Sequence, residues 1–220
     1  MARPRSAGYD DQRELILARA AHLFAQRGYP GTSMNEVAEA CGMSKASLYH
    51  YFRDKDDLLV SIADGHVARL EALVDQVLAA HPPGEGRARA LIERFVEEYA
   101  DAQNAHRVLT DDVRFLPEAT REAILARERR VVDGFAQTIA ELKPALGKDG
   151  LSKPLAMLLF GMINWMFTWL RPDGALTHAD MGPIVADLFF GGVGAVKAPG
   201  KAKPRAAAQR GAKRITEKET

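Results

Sequence analysis

Between Gly31 and Phe52 the chain reads Gly-Thr-Ser-Met-Asn-Glu-Val-Ala-Glu-Ala-Cys-Gly-Met-Ser-Lys-Ala-Ser-Leu-Tyr-His-Tyr-Phe, and its polar side chains are spaced as a helix-capping and surface-contact pattern requires. Ser33 and Glu36 are placed as a capping box, in which the hydroxyl satisfies a backbone N–H of the first turn and the carboxylate reaches back to the cap. A short helix is expected to begin there. Gly42 stands where a left-handed residue closes that helix, and Ser44 can cap a second one. In the second helix Leu48 and Phe52 lie four residues apart and face inward, which directs Lys45, Ala46, Tyr49 and His50 outward. A basic residue and aromatic residues set towards solvent at a helix N-terminus suit a DNA major groove, where side chains reach base edges and hydroxyls reach phosphates. Two ordinary packed helices have the same spacing, because short capped helix pairs are common, so spacing alone leaves both readings open.

A second grouping, His106 with Asp111 and Asp112, has the residue types of an acid–base pair. No nucleophile motif, metal cluster or glycine-rich phosphate cradle accompanies it, so no enzyme is expected, and this pair carries the enzymatic alternative. Cys41 is the single cysteine and has no partner for a disulfide or a zinc site; no metal and no cofactor are expected. His66 falls on an apolar helix stripe, where the usual role of a histidine is a satisfied core residue.

The elements that must position these residues are helical throughout. Nearly half of the 220 residues are apolar (47%), enough to bury a real core. Gly and Pro fall between periodic segments and there is almost no apolar–polar alternation, so an all-α fold is expected. A first helix is expected over 10–27, with Ile16, Ala20, Leu23 and Phe24 as its core stripe and Gly28 as its end. Asp54 can cap a long helix whose stripe runs through Leu59, Ile62, His66, Leu70, Leu73 and Val77. The run His81-Pro82-Pro83-Gly84-Glu85-Gly86 breaks the chain. Further helices are expected over 87–104, 106–114, 117–142, 151–170 and 177–196, with a turn at Arg171-Pro172-Asp173-Gly174. There is no apolar run long enough for a membrane span and no secretory signal, which points to the cytoplasm and to no membrane partner. Net charge is only +1, so any basic surface must come from local placement. Residues 1–9 and 199–220 read as basic, disordered tails, and the second could add sequence-independent DNA association.

The stretch around residues 33–52 resembles the DNA-binding segment of the TetR family of transcriptional regulators. The match begins with Ile16, Ala20, Leu23, Phe24, Gly28 and Tyr29. It continues through Thr32, Ser33, Val37, Ala38, Gly42, Leu48, Tyr49, Tyr51, Phe52, Lys55, Leu58 and Leu59. The resemblance implies a helix-turn-helix domain over 10–56 and a helical effector-binding and dimerisation domain over 57–198. On matching positions it implies base contacts from Lys45, Ser47 and His50, phosphate contacts from Ser33, Tyr49 and Lys55, and either role for Tyr51. The partners it implies are a double-stranded, near-palindromic operator, a second copy of the chain joined through the last two helices, and a small-molecule effector that releases a repressor.

The segment from Phe160 to Gly174, with Phe115-Leu116-Pro117-Glu118, resembles the branch that senses acyl-CoA thioesters. A drug-like apolar effector acting on an efflux or detoxification gene is the alternative. Candidate effector contacts are Phe95, Tyr99, Leu109, Arg114 and Phe115 on the middle helices, and Met162, Trp165 and Met166 on the penultimate one. The last three, with Trp169, equally suit a dimer interface, which is the favoured reading for them. Arg107, Arg114, Arg121 and Arg127 are cations available to a CoA-like anion.

Overall fold

The computed structural model describes residues 7–171 and 174–194, and among them there is no strand. The helices are α1 (Ala7–Arg27), α2 (Met34–Ala40), α3 (Lys45–Tyr49), α4 (Lys55–Ala80), α5 (Glu85–Asp101), α6 (Gln103–Asp111), α7 (Glu118–Leu142), α8 (Pro144–Lys148), α9 (Ser152–Trp165) and α10 (His178–Val193). A 3-10 turn (Val113–Phe115) precedes α7, and another (Met166–Thr168) follows α9. The all-α expectation holds.

Boundaries differ where a contact or a cap overrides periodicity. Helix α1 starts at Ala7, ahead of the expected Asp10, and the Tyr9 ring in its first turn stacks on Tyr51 at 4.7 Å. Residues 7–9 therefore belong to α1 rather than to a disordered arm. Gly28 takes φ +76° after α1, a conformation open to glycine at little steric cost. Helix α5 resumes at Glu85, inside the expected break, and the short α8, opened by Pro144, adds a helix to those expected. Helix α9 gives way to a 3-10 turn after Trp165 instead of running to residue 170. Residues 1–6, Pro172, Asp173 and 195–220, including the expected basic tail, lie outside the described residues.

Two apolar clusters form the core. One joins Ile16, Phe24, Val37, Leu48, Phe52 and Leu59 with Val108, Leu109 and Val113 from α6 and the turn after it. The other joins the second half of α4 with α5, α7, α9 and α10 through Leu73, Phe95, Phe135, Phe160 and Val185. Helix α4 runs through both, presenting apolar residues at spacings of three and four. Gly134 lets α7 close on α4, since a Cβ there would lie 2.5 Å from Val74 Cγ1.

Where the clusters meet, two histidines are buried. His66 Nε2 of α4 lies 3.4 Å from His106 Nδ1 of α6, and the His106 ring stacks on Tyr99 with centroids 4.2 Å apart. Burial pushes both imidazoles below their ordinary value of 6.5. His66 falls to about 3, with the charges of His106 and Arg69 adding to the effect, and His106 to about 4 against the opposing pull of Asp111. Both rings are thus neutral in the fold. Because the unfolded chain binds these protons at about pH 6.5 and the folded chain does not, the stability they confer is present above that pH and is lost as pH falls towards 4. Equilibrium unfolding between pH 7 and 4 should show this loss, and His106→Phe should reduce its steepness by about one proton per molecule. An unchanged slope would refute the assignment of neutral, buried imidazoles.

Candidate nucleic-acid interface and effector cavity

Helix α2 begins as its sequence dictates. Glu36 N donates to Ser33 Oγ at 3.3 Å, Ser33 N donates to Glu36 Oε2 at 2.8 Å, and the Ser33 hydroxyl donates to the same carboxylate at 2.8 Å. These bonds, led by the one from the hydroxyl, hold the Glu36 carboxyl below its ordinary range, and Arg27 adds to the effect. Gly42 adopts φ +64° after α2, and Ser44 Oγ accepts from Ser47 N at 3.1 Å to start α3. The result is two capped helices with a tight turn between them.

Helix α3 turns Leu48 inward, with Phe52 just beyond it, and leaves Lys45, Ala46, Tyr49 and His50 exposed. Tyr49 keeps 44% of its surface in solvent. That leaves its ring and hydroxyl on the surface, while Tyr51 does the packing against α1 through Tyr9. Ser47 is half-buried, its hydroxyl 2.8 Å from that of Ser44. Lys55 is tied into the fold: its ammonium donates to the carbonyls of Tyr29 and Thr32, each at 2.9 Å, and lies 4.2 Å over the Tyr29 ring. Of the seven residues expected at the DNA surface, Lys45, Tyr49 and His50 are thus brought together in the open. Ser33, Ser47, Tyr51 and Lys55 already have partners within the chain.

Tyr29 also anchors this unit to the rest of the molecule. Its backbone N–H donates to Asp112 Oδ1 at 3.2 Å, its hydroxyl donates to Asp56, and its ring stacks on Phe115 with centroids 5.7 Å apart. Burial, chiefly, raises the pKa of both the Tyr29 phenol and the Asp112 carboxyl. Arg114 lies over Phe115 at 5.0 Å. Arg114 and Phe115, expected around an effector, stand at this joint instead, and Phe115 is 41% exposed.

A cavity of about 120 Å³ lies among α4, α5, α6, α7 and α9, walled by Tyr99, His106, Leu109, Glu128, Phe160 and Asn164 among others. A void of about 10 Å³ shares Tyr99, His106 and Asn164 and is also lined by Met166. Tyr99, Leu109 and Met166 therefore line the space in which effector contacts are expected. Phe95 does not: it is fully buried in an aromatic cluster with Phe135 at 4.7 Å and Phe160 at 5.8 Å. Met162 packs partly buried on the core and Trp165 is 66% exposed. A larger cleft of about 440 Å³ lies between α1, α4 and the α5–α6 junction, walled by Arg13, Glu14, Arg69, Glu98 and Asp101 together with apolar residues such as Leu17, Ala21 and Ile62.

Among the arginines considered for an anion, Arg127 is paired with Asp64 and Glu71, and Arg107 lies 3.5 Å from Asp111. Sequence reasoning misses Asn164 as a cavity residue. A signal exists, because Asn164 is the one amide in the apolar run from Leu155 to Phe167, and a polar side chain inside such a helix needs a partner.

A further surface lies on α9 and α10, where Met157, Leu158, Trp165, Ile184 and Leu188 are all exposed, as is Trp169 beside them. No helix among the described residues is long and apolar enough to cross a membrane.

Residues 16–62 match the family model for bacterial regulatory proteins of the tetR family, and residues 81–193 match that for the tetracyclin repressor-like C-terminal domain. The chain is 28% identical over 195 residues to the transcriptional repressor KstR2 of Mycobacterium tuberculosis, covering 84% of this chain and 94% of that protein. It is 30% identical to the transcriptional activator FasR of Mycolicibacterium smegmatis over 120 residues, 54% of this chain and 55% of that one. Among solved structures, a TetR-family regulator from Bordetella parapertussis superposes with a TM-score of 0.77 at 33% identity, over 84% of this chain and 98% of that one. AibR, solved with isovaleryl coenzyme A and operator DNA, does so with a TM-score of 0.69 at 28% identity, over 80% and 97%. Such relatives are transcriptional regulators and not enzymes, which overturns the acid–base alternative at His106. The structure gives the physical reason: the ring is buried against His66 and Tyr99, Asp112 is buried against Tyr29, and Asp111 faces solvent beside Arg107. The chain belongs to the TetR family of bacterial transcriptional regulators.

Proposed function

We propose that this regulator is a homodimeric repressor that binds a near-palindromic operator and is released by a small apolar effector. The observation that carries the reading is the exposed cluster of Lys45, Tyr49 and His50 on a helix fixed by caps at its start and by Leu48 and Phe52 beneath it. Residues 10–56 would be the DNA-binding unit and 57–198 the effector-binding and dimerising unit, working in the cytoplasm. Lys45, Ser47 and His50 are assigned to bases; Ser33, Tyr49 and Lys55 to phosphates; Tyr51 to either. The bond of Ser33 to Glu36 means that a phosphate there competes with the capping box. Lys55, with two of its three N–H groups already donated, chiefly shapes the surface and has one left for a phosphate.

Dimerisation is assigned to α9 and α10, because five large apolar side chains on these two helices, Met157, Leu158, Trp165, Ile184 and Leu188, stand exposed to solvent. For the effector, AibR with its bound isovaleryl coenzyme A supports an acyl-CoA thioester, and the 120 Å³ cavity has the size for a short acyl group. The pairing of Arg127 and Arg107 with carboxylates favours the second reading, a neutral drug-like compound, because it leaves fewer cations for the CoA phosphates.

On a DNA site selected from random sequence, Lys45→Ala and Tyr49→Ala should each weaken binding by about 1–3 kcal/mol in fluorescence anisotropy. Both exposed changes should leave stability within about 0.5 kcal/mol of wild type. Full binding by the double variant would remove the assignment of α3. Sedimentation should find a dimer that becomes a folded monomer when Leu158 and Leu188 are both changed to Glu, and a dimer unaffected by these charges would move the interface elsewhere. Short-chain acyl-CoA thioesters should raise the temperature of unfolding, as any ligand specific to the native state must. A shift with neutral apolar drugs alone would select the second reading.

A further inference from the structure

The cavity among α4, α5, α6, α7 and α9 is walled by apolar and aromatic side chains together with Glu128, His106 and Asn164, and two buried polar atoms of the last two, His106 Nε2 and Asn164 Oδ1, have no partner. His106 is only 6% exposed. Leaving such atoms unpaired costs about 1–3 kcal/mol each, a cost a fold tolerates where something else completes the bonds. We propose that the effector group entering this cavity is not plain hydrocarbon but carries a neutral hydroxyl, which accepts a hydrogen bond from His106 Nε2 and donates one to Asn164 Oδ1. The inference rests on the effector role given to the cavity above and specifies the chemistry recognised there.

The histidine pair sets two cases for the group that fits. A bond between His66 Nε2 and His106 Nδ1 requires a proton on one of the two nitrogens. If His66 donates, His106 carries its own proton on Nε2 and offers a donor to the cavity; if His106 donates, its Nε2 is an acceptor. Asn164 Oδ1 only accepts. A hydroxyl supplies one proton and one lone pair, so it satisfies both cavity atoms when His106 Nε2 is the donor, and its binding selects that tautomer. An alkyl group satisfies neither atom. A carboxylate would lack the proton that Oδ1 needs and would lie near Glu128, a half-buried acid on the same wall whose pKa burial already raises. The volume, about 120 Å³, suits a group the size of a small ring or a short branched chain, since an apolar cavity of about 150 Å³ holds benzene.

Phenol and toluene, which share a shape and differ by a hydroxyl in place of a methyl, isolate this chemistry. Toluene is the more hydrophobic, so a preference for phenol comes from hydrogen bonds. Calorimetry on the full chain should give phenol an affinity about tenfold higher. The preference should fall to within about threefold in Asn164→Leu and in His106→Phe, as the loss of one such bond requires. Nitrogen-15 NMR should show His106 Nε2 moving to its protonated form as phenol is added. Asn164→Leu, at the half-buried wall, carries the test alone if His106→Phe does not fold. Equal affinities in the wild type, or no binding of either probe, would overturn the proposal and assign the two atoms to a buried water.

A second comparison separates this inference from the acyl-CoA reading. Tighter binding of 3-hydroxybutyryl-CoA than of butyryl-CoA supports both. Equal binding of the two thioesters keeps the acyl-CoA reading and overturns the hydroxyl. A phenol preference with no binding of any thioester keeps the hydroxyl and retires acyl-CoA as the effector.

Discussion

Helix α4 carries one apolar stripe that two cores share. Its first half, through Leu58, Leu59 and Ile62, joins the cluster shared with α1 and α6; its second, through Leu70, Leu73 and Val77, packs against α5 and α7. A helix of 26 residues held from both ends moves as a piece, because neither core can repack around a partial displacement without opening voids. Its N-terminus is fixed by Asp54, which accepts from Asp57 N at 2.7 Å, and Lys55 binds the turn before α2 through two carbonyls. The turn leading into α2 is thus tied to the start of α4.

Helix α6 supplies a second connection. Val108 and Leu109 join the cluster beneath the capped helices, and Asp112 just past its end holds the backbone of Tyr29. The same helix presents His106 to the cavity. A ligand that engages His106 therefore pulls on an element that touches both the cavity and the turn leading into α2. It can shift the molecule between two arrangements only by as much as its affinity for them differs. The His66–His106 bond matters in that sense, because it joins α6 to α4 at the level where the two cores meet.

What is legible in the sequence is local. Ser33 with Glu36, Gly42, Ser44 and Asp54 act on their own neighbours within four residues, and each behaves in the structure as its type and spacing dictate. Periodicity likewise places Leu48 and Phe52 inward and His66 in the core, though not as the satisfied residue expected, since its Nδ1 has no partner there. The departures concern contacts distant along the chain. Nothing near Lys55 announces that its ammonium will be held by carbonyls 23 and 26 residues earlier. Phe95, expected at a cavity, is core because Phe135 and Phe160 close on it from two other helices. Phe115, expected there as well, instead stacks on Tyr29, a residue of the distant N-terminal unit. Asn164 is hard to find from sequence because it stands beside Trp165 in an aromatic-rich run, and only the fold shows that Trp165 faces solvent while the Asn164 amide oxygen is buried.

Charge is the remaining constraint on a DNA reader whose net charge is only +1. Three carboxylates, Asp54, Asp56 and Asp57, crowd the start of α4 beside the proposed DNA surface, where free negative charge would repel phosphates. All three are engaged within the chain, since Asp54 caps α4, Asp56 takes the Tyr29 hydroxyl, and Asp57 Oδ2 accepts from Arg53 N at 3.0 Å. They also sit at the positive end of a long helix, which offsets part of their charge. Arg53 lies 3.5 Å from Asp57 and offsets one of these charges, and Lys45 is the exposed cation of α3. Affinity built on so few cations depends less steeply on salt than that of a strongly basic protein. A greater share of the discrimination must then come from base edges and from holding two copies of α3 at a fixed spacing.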